Sequence, residues 1–245
     1  MADTALVTGA AQRIGGEIIR ELHGAGFDVA LHYRRSASAA KSLADELNTA
    51  RPGSCRLFQA DLAVGAELRR LGEDLMAAYD SLDLLVNNAS GFEPTPIASC
   101  TVSEFDAMID SNLKGPYFLV QALLPMLRTA KGSIVNILDA HVEHPLADFN
   151  AYCAAKAGLA SLTRSLAVEL GPEIRVNGVA PGAILWPEGG EAYDDAMRRG
   201  TVERTPLRRT GDPSDIARTV RFLACDAPFI TGQVITVDGG RSLTG

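Results

Sequence analysis

Short apolar runs alternate with longer stretches of helical spacing along almost the whole chain. The runs Thr4–Thr8, Val29–Tyr33, Arg56–Gln59, Leu82–Val86, Ser133–Leu138, Arg175–Val179 and Val234–Val237 are brief and rich in Val, Ile and Leu. Most are bounded by Gly, Asn or Asp, a pattern that predicts strands. Between them, Ile14–Gly26, Ala37–Asn48, Ala66–Tyr79, Pro116–Thr129, Ala151–Leu170 and Pro213–Ala224 repeat apolar residues with a helical period. Near-continuous apolar strands separated by helices form a parallel sheet with helices on both faces. Right-handed crossovers then give a doubly wound α/β fold. No Pro/Gly/Ser linker interrupts the rhythm, so residues 1–245 read as one domain. The segment Leu185–Thr205 breaks it with Trp186, Pro187, Glu188, Gly189, Gly190 and a charged stretch. A long excursion after a strand is either a lid, here over residues 185–210, or a plain surface loop.

Composition removes several classes of function. A net charge of −7 argues against nucleic acid as a partner, which needs a basic face. No run of eighteen apolar residues predicts a membrane span, and the start MADTALVTGA lacks the basic and apolar regions of a signal peptide. Cys55, Cys100, Cys153 and Cys225 have no metal-ligand spacing and read as reduced thiols of a cytoplasmic protein. His141 and His144 lack a third ligand nearby, so no metal is expected.

The first strand runs into Thr8-Gly9-Ala10-Ala11-Gln12-Arg13-Ile14-Gly15. Gly9 permits a tight turn, Gly15 allows close packing of helix on sheet, and the first N–H groups of the helix can face a pyrophosphate. Arg13, a cation at a helix start, opposes the macrodipole; it either meets a bound anion or points to solvent. The second strand ends in His32-Tyr33-Arg34-Arg35-Ser36, without the acid that would accept from a ribose 2′-OH. Two arginines and a serine suit a 2′-phosphate instead, which predicts NADPH over NADH. Asp61 is placed to accept from the adenine amino group, to cap a helix, or both. Asn88, Ala89 and Ser90 end the fourth strand, where small and polar residues suit a ribose or nicotinamide. Phe92 follows on the same loop and serves either packing or ligand stacking.

The densest chemistry lies between Asp139 and Lys156. Tyr152 and Lys156 are four residues apart and share a helix face. An ammonium beside a phenol favours the phenolate, which suits a reaction that delivers hydride to carbon and a proton to the neighbouring heteroatom. Asp139 stands thirteen residues before Tyr152, and a carboxylate in a partly closed pocket is expected to have a raised pKa. An acid there can accept from a ring N–H and orient the tyrosine; alternatively it caps a helix or faces water.

Taken together, Thr8–Gly15, Asn87–Ala89, Asn112, Tyr152–Lys156, Pro181–Gly182 and Val237–Gly240 resemble the short-chain dehydrogenase/reductase family over essentially the whole chain. The resemblance implies a Rossmann-type sheet of seven parallel strands and a homotetramer, although a plain core role for helix Ala151–Leu170 fits its composition equally well. Tyr152 would be the proton donor, Lys156 would bind the nicotinamide ribose, and Asn112 would hold a water in the proton relay. The common pattern has glycine where Arg13 stands and serine where Asp139 stands. Both departures are similar to pteridine reductases, as are the run 32–36, the loop Asn88–Phe92 and, among bacterial members, the segments Pro181–Pro187 and Asp238–Leu243. That likeness implies a small-molecule pterin or folate substrate, stacked between Phe92 and the nicotinamide. Arg13, Ser90, Phe92, Asp139, Tyr152 and Trp186 would line its site. NADPH would lie against Gly9, Arg13, Ile14, Gly15, His32 to Ser36, Asp61, Leu62, Asn88 to Ser90, Tyr152, Lys156, Pro181 and Gly182. Gly91 departs from the serine expected there. The rival readings are a 3-oxoacyl or ketone reductase of the same family and a non-catalytic NADPH-binding regulator.

Overall fold

The computed structural model describes residues 2–186 and 194–244. Seven strands, β1 (Thr4–Val7), β2 (Asp28–Tyr33), β3 (Cys55–Gln59), β4 (Leu84–Asn87), β5 (Ser133–Ile137), β6 (Arg175–Pro181) and β7 (Val234–Val237), form one parallel sheet. Its order is β3-β2-β1-β4-β5-β6-β7, so the chain reverses its direction of travel between β1 and β4. The crevice outside the carboxyl ends of strands at such a switch point is where open α/β sheets bind ligands.

Helices α1 (Arg13–Gly24), α2 (Ala37–Ala50) and α8 (Pro213–Arg221) cover one face, where Ile18, Leu22, Leu43, Ile216 and Val220 bury against Val29, Leu31 and Val179. On the other face α3 (Gly65–Ala78), α5 (Gly115–Ala130) and α6 (Asn150–Leu170) bring Leu71, Leu75, Leu119, Leu123 and Leu166 onto Leu6, Leu85 and Ile134. Each such leucine, fully buried, contributes about 1.5–3 kcal/mol. The predicted strands and helices agree with these elements to within a few residues at each end.

Two helices lie outside the predicted set. Helix α4 (Val102–Ile109) opens with a capping box in which the Thr101 hydroxyl accepts from the Glu104 N–H and the Glu104 carboxylate accepts from the Thr101 N–H. Met108 is its only buried residue, so the sequence carries little helical period there. A π-turn, Asp110–Lys114, links α4 to α5 and holds the buried Asn112. Helix α7 (Asp195–Arg204) buries none of its residues and lies within the stretch read as a lid or surface loop. Pro187, Glu188, Gly189 and Gly190 of that stretch lie outside the described residues. Among the described residues no helix is long and apolar enough to cross a membrane.

Candidate active site

At the carboxyl end of β1 the backbone turns through Gly9, whose φ of +62° is a left-handed conformation that glycine adopts without strain. A Cβ on Gly15 would stand 2.4 Å from the Gly9 carbonyl oxygen and 2.5 Å from Asn88 Nδ2, so only glycine brings α1 this close. The turn is tied to β4. The Thr8 hydroxyl accepts from the Asn88 and Ala89 N–H groups, and Asn88 Nδ2 donates to the Thr8 and Gly9 carbonyls at 2.8 and 3.1 Å.

His32 differs from its expected place at the cofactor surface. Its ring lies buried beneath the turn, with Nδ1 accepting the Gly9 N–H at 3.1 Å and Nε2 3.1 Å from the Ala60 carbonyl. An acceptor Nδ1 and a donor Nε2 define a neutral tautomer. Burial pushes its pKa down to about 4, with smaller opposing effects from Ala60 and Asp61. The unfolded chain therefore binds a proton near pH 6.5 that the folded chain refuses until about pH 4. The wild type should lose about 3 kcal/mol of stability as pH falls through that window. His32→Gln, a neutral donor and acceptor, should flatten this part of a denaturant-midpoint profile against pH. A parallel slope in both proteins would contradict the assignment.

Arg13 is the first residue of α1 and takes a φ of +56°, a left-handed conformation that costs a non-glycine residue about 1–2 kcal/mol. Its guanidinium donates to the Leu185 and Trp186 carbonyls at 3.4 and 3.3 Å, joining the glycine turn to the segment after β6. Trp186 lies beside Arg198 of α7, with the guanidinium carbon 5.7 Å from the indole centroid. Ile14 packs at the margin of the core, and Leu62 is buried in it on the opposite face.

Arg34 and Arg35 are exposed at the start of α2, and Ser36 is its N-cap residue, yet the Ser36 hydroxyl makes no capping bond. Arg34 lies 3.8 Å from Asp61. Asp61 does not cap α3, whose N-cap is Val64; its Oδ1 accepts from the Ala63 N–H at 3.0 Å in a tight turn. Pro181 ends β6, and Gly182 follows in a contact with Asp238 too close for any Cβ.

The geometry converges at the ends of β5 and α6. Tyr152 donates its hydroxyl to Asp139 Oδ2 at 2.6 Å. Asp139 Oδ1 accepts both the backbone N–H of His141, at 2.8 Å, and its ring Nδ1, at 2.7 Å. Asp139 thus caps a one-turn helix (Ala140–Val142) and faces the tyrosine at once. The expectation of a raised pKa for Asp139 is corrected. Desolvation does push it up, but the hydrogen bonds and charge of His141 and the bond from Tyr152 together prevail, and it lies below the ordinary carboxylate range. Lys156 is buried, donates to the Ile137 carbonyl at 2.8 Å and stands 5.8 Å from the Tyr152 ring centroid. Burial lowers its pKa to about 8 against the opposing pull of Asp139.

Phe92 meets Tyr152 edge-on at 4.8 Å, and its ring stacks on Phe149 at 4.4 Å. One face of Phe92 is therefore taken by a neighbour the sequence did not single out. A Cβ on Gly91 would come within 2.9 Å of the Met108 methyl and the Ser111 hydroxyl, both side-chain ends that can give way. The Asn112 side chain is engaged with this loop: Oδ1 accepts from the Ser90 hydroxyl at 2.7 Å and Nδ2 donates to the Gly91 carbonyl at 3.0 Å. Asn112 thereby positions Ser90 and Phe92.

The residues fit a nicotinamide dinucleotide. The start of α1, beside the turn at Gly9, presents backbone N–H groups at the switch point, and the uncommitted Ser36 hydroxyl with two exposed arginines suits an anionic group one strand away. A family model described as enoyl-(acyl carrier protein) reductase matches residues 9–242. The 3-oxoacyl-(acyl-carrier-protein) reductase FabG of Staphylococcus epidermidis is 37% identical over 98% of this chain and 99% of its own. Pteridine reductase 1 of Leishmania tarentolae is 35% identical over 99% and 97%. A 3beta-hydroxysteroid dehydrogenase of Eggerthella lenta is 31% identical over 98% and 94%.

Proposed function

The chain belongs to the short-chain dehydrogenase/reductase family, and from that membership we propose an NADPH-dependent pteridine reductase that converts a dihydropterin or dihydrofolate to its tetrahydro form. The observation that carries this reading is the bond of 2.6 Å from the Tyr152 hydroxyl to a carboxylate. A ketone becomes an oxyanion when reduced, and a carboxylate beside it would repel that charge. A pterin instead offers ring N–H groups, which an ionised Asp139 can accept. The named likeness to a pteridine reductase supports the same substrate.

When bound, reduced nicotinamide supplies a hydride to a ring carbon. The chain's own groups handle the proton. Tyr152 passes its hydroxyl proton to the ring nitrogen, and the Lys156 ammonium favours the phenolate left behind. A ring N–H of the bound substrate takes the Asp139 acceptor, which releases the Tyr152 hydroxyl to turn to the ring nitrogen. Phe92 packs on the flat ring, while Ser90 and Arg13 position it and Trp186 closes the far side. Arg34, Arg35 and Ser36 select NADPH through its 2′-phosphate. Residues 185–210 act as a lid, and the exposed small residues of α6, Ala154, Ala157, Ser161 and Ser165, form a contact of a homotetramer.

The second reading, a 3-oxoacyl thioester reductase, is favoured by the Staphylococcus relative. NADPH consumption measured in parallel with dihydrobiopterin, dihydrofolate and a 3-oxoacyl thioester decides between them. Pterin turnover that methotrexate competes away is the expected result. Turnover of the thioester alone would replace the reading.

A further inference from the structure

We propose that His141 is a positioning residue for the acid of this site: by binding Asp139 Oδ1 twice, it turns Oδ2 toward Tyr152. The inference rests on the reading of Asp139 and Tyr152 as the proton-handling pair. A carboxylate has two oxygens and can rotate about its last bond, so one bond to Tyr152 does not fix it. Here Oδ1 receives the His141 backbone N–H at 2.8 Å and the ring Nδ1 at 2.7 Å. The two donors come from one residue on a one-turn helix that Asp139 itself caps, so a single turn of backbone sets both.

An ionised carboxylate only accepts, so Nδ1 must carry a proton. That holds for the imidazolium and for the Nδ1–H neutral tautomer, and the clamp does not depend on which is present. The titratable groups facing Asp139 are His141 on its own turn and Tyr152 and Lys156 from α6. Tyr152 and Lys156 contact substrate and nicotinamide in the proposed mechanism. His141 acts only through Asp139. Its ring is partly exposed, so it can be replaced without opening a core cavity.

The test compares His141→Leu, which removes the ring donor, with His141→Asn, whose amide nitrogen stands near the position of Nδ1. The carboxyl titration of Asp139 is followed by carbon NMR in protein without substrate, its resonance assigned by its loss in Asp139→Asn. Loss of a donor to a carboxylate raises its pKa. The leucine variant should therefore titrate higher, and its kcat should fall about tenfold with the acid limb of the rate profile moved upward. The asparagine variant should recover most of both. An unmoved titration in His141→Leu, or equal impairment of the two variants, would overturn the proposal. Rates are read with whichever of pterin or thioester the wild type reduces. Failure of the pterin reading thus shows in the wild type, and failure of the clamp shows in the titration.

Discussion

Replacing Lys156 with methionine is expected to lower kcat by about 10²–10⁴-fold and to stabilise the fold. The rate falls because, in the proposed mechanism, the buried ammonium is the charge that favours a phenolate at Tyr152. Stability rises because that charge is held out of water. Its pKa of about 8, against an ordinary 10.5, means that folding at neutral pH works against the charged form. Methionine fills a similar volume without the charge but leaves the Ile137 carbonyl without its donor. The net gain should be about 1–3 kcal/mol, or roughly 2–12 °C in Tm for a chain of this size. The sign has a pH signature. Between about pH 8 and 10.5 the folded wild type has released a proton that its unfolded chain still binds, so its stability climbs relative to the variant. Tyr152→Phe should lose a similar rate without the gain, since it deletes the bond to Asp139 and relieves no buried charge. Thermal melts and steady-state rates of the two variants check the contrast. A less stable Lys156→Met would mean that Asp139 fully compensates the buried ammonium.

The sheet was legible in the chain because all seven strands are short apolar runs separated by amphipathic helices. Helices α4 and α7 were not, because a helix that buries one residue or none leaves no apolar stripe to read. For α4 a different signal was available: Thr101-x-x-Glu104 spells the capping box that the structure contains. In the site, spacing alone put Tyr152 and Lys156 on one face. The pairing of Asp139 with Tyr152 came from the family pattern rather than from any period. In the sequence His141 stands out only as half of an incomplete metal pair, because nothing in a sequence tells which of two oxygens a neighbouring imidazole will bind. The direction of the Asp139 pKa is hidden for the same reason: burial is legible in a sequence, whereas a clamp of hydrogen bonds is not. His32 sits in a run of cofactor-type residues, yet it lies within β2, where the sheet is covered by helices, while Arg34 and Arg35 follow the strand's last residue and stay in solvent.

Asp139→Ser is expected to change what the enzyme prefers more than how fast it works. Serine restores the neutral hydroxyl that suits a developing oxyanion and removes the charge that opposes it. It also withdraws the acceptor for a pterin N–H, a charged hydrogen bond worth about 1.5–3 kcal/mol. The two effects act in opposite directions on the two substrates, so their ratio should move by about 10²-fold or more. The central claim is that the acid at 139 selects a pterin over a ketone. Its most direct test is the ratio of kcat/KM for dihydrobiopterin to that for a 3-oxoacyl thioester, measured with NADPH in the wild type and in Asp139→Ser. A ratio well above one that collapses in the serine variant is the predicted result; a wild type that prefers the thioester, or a ratio indifferent to the substitution, would contradict it.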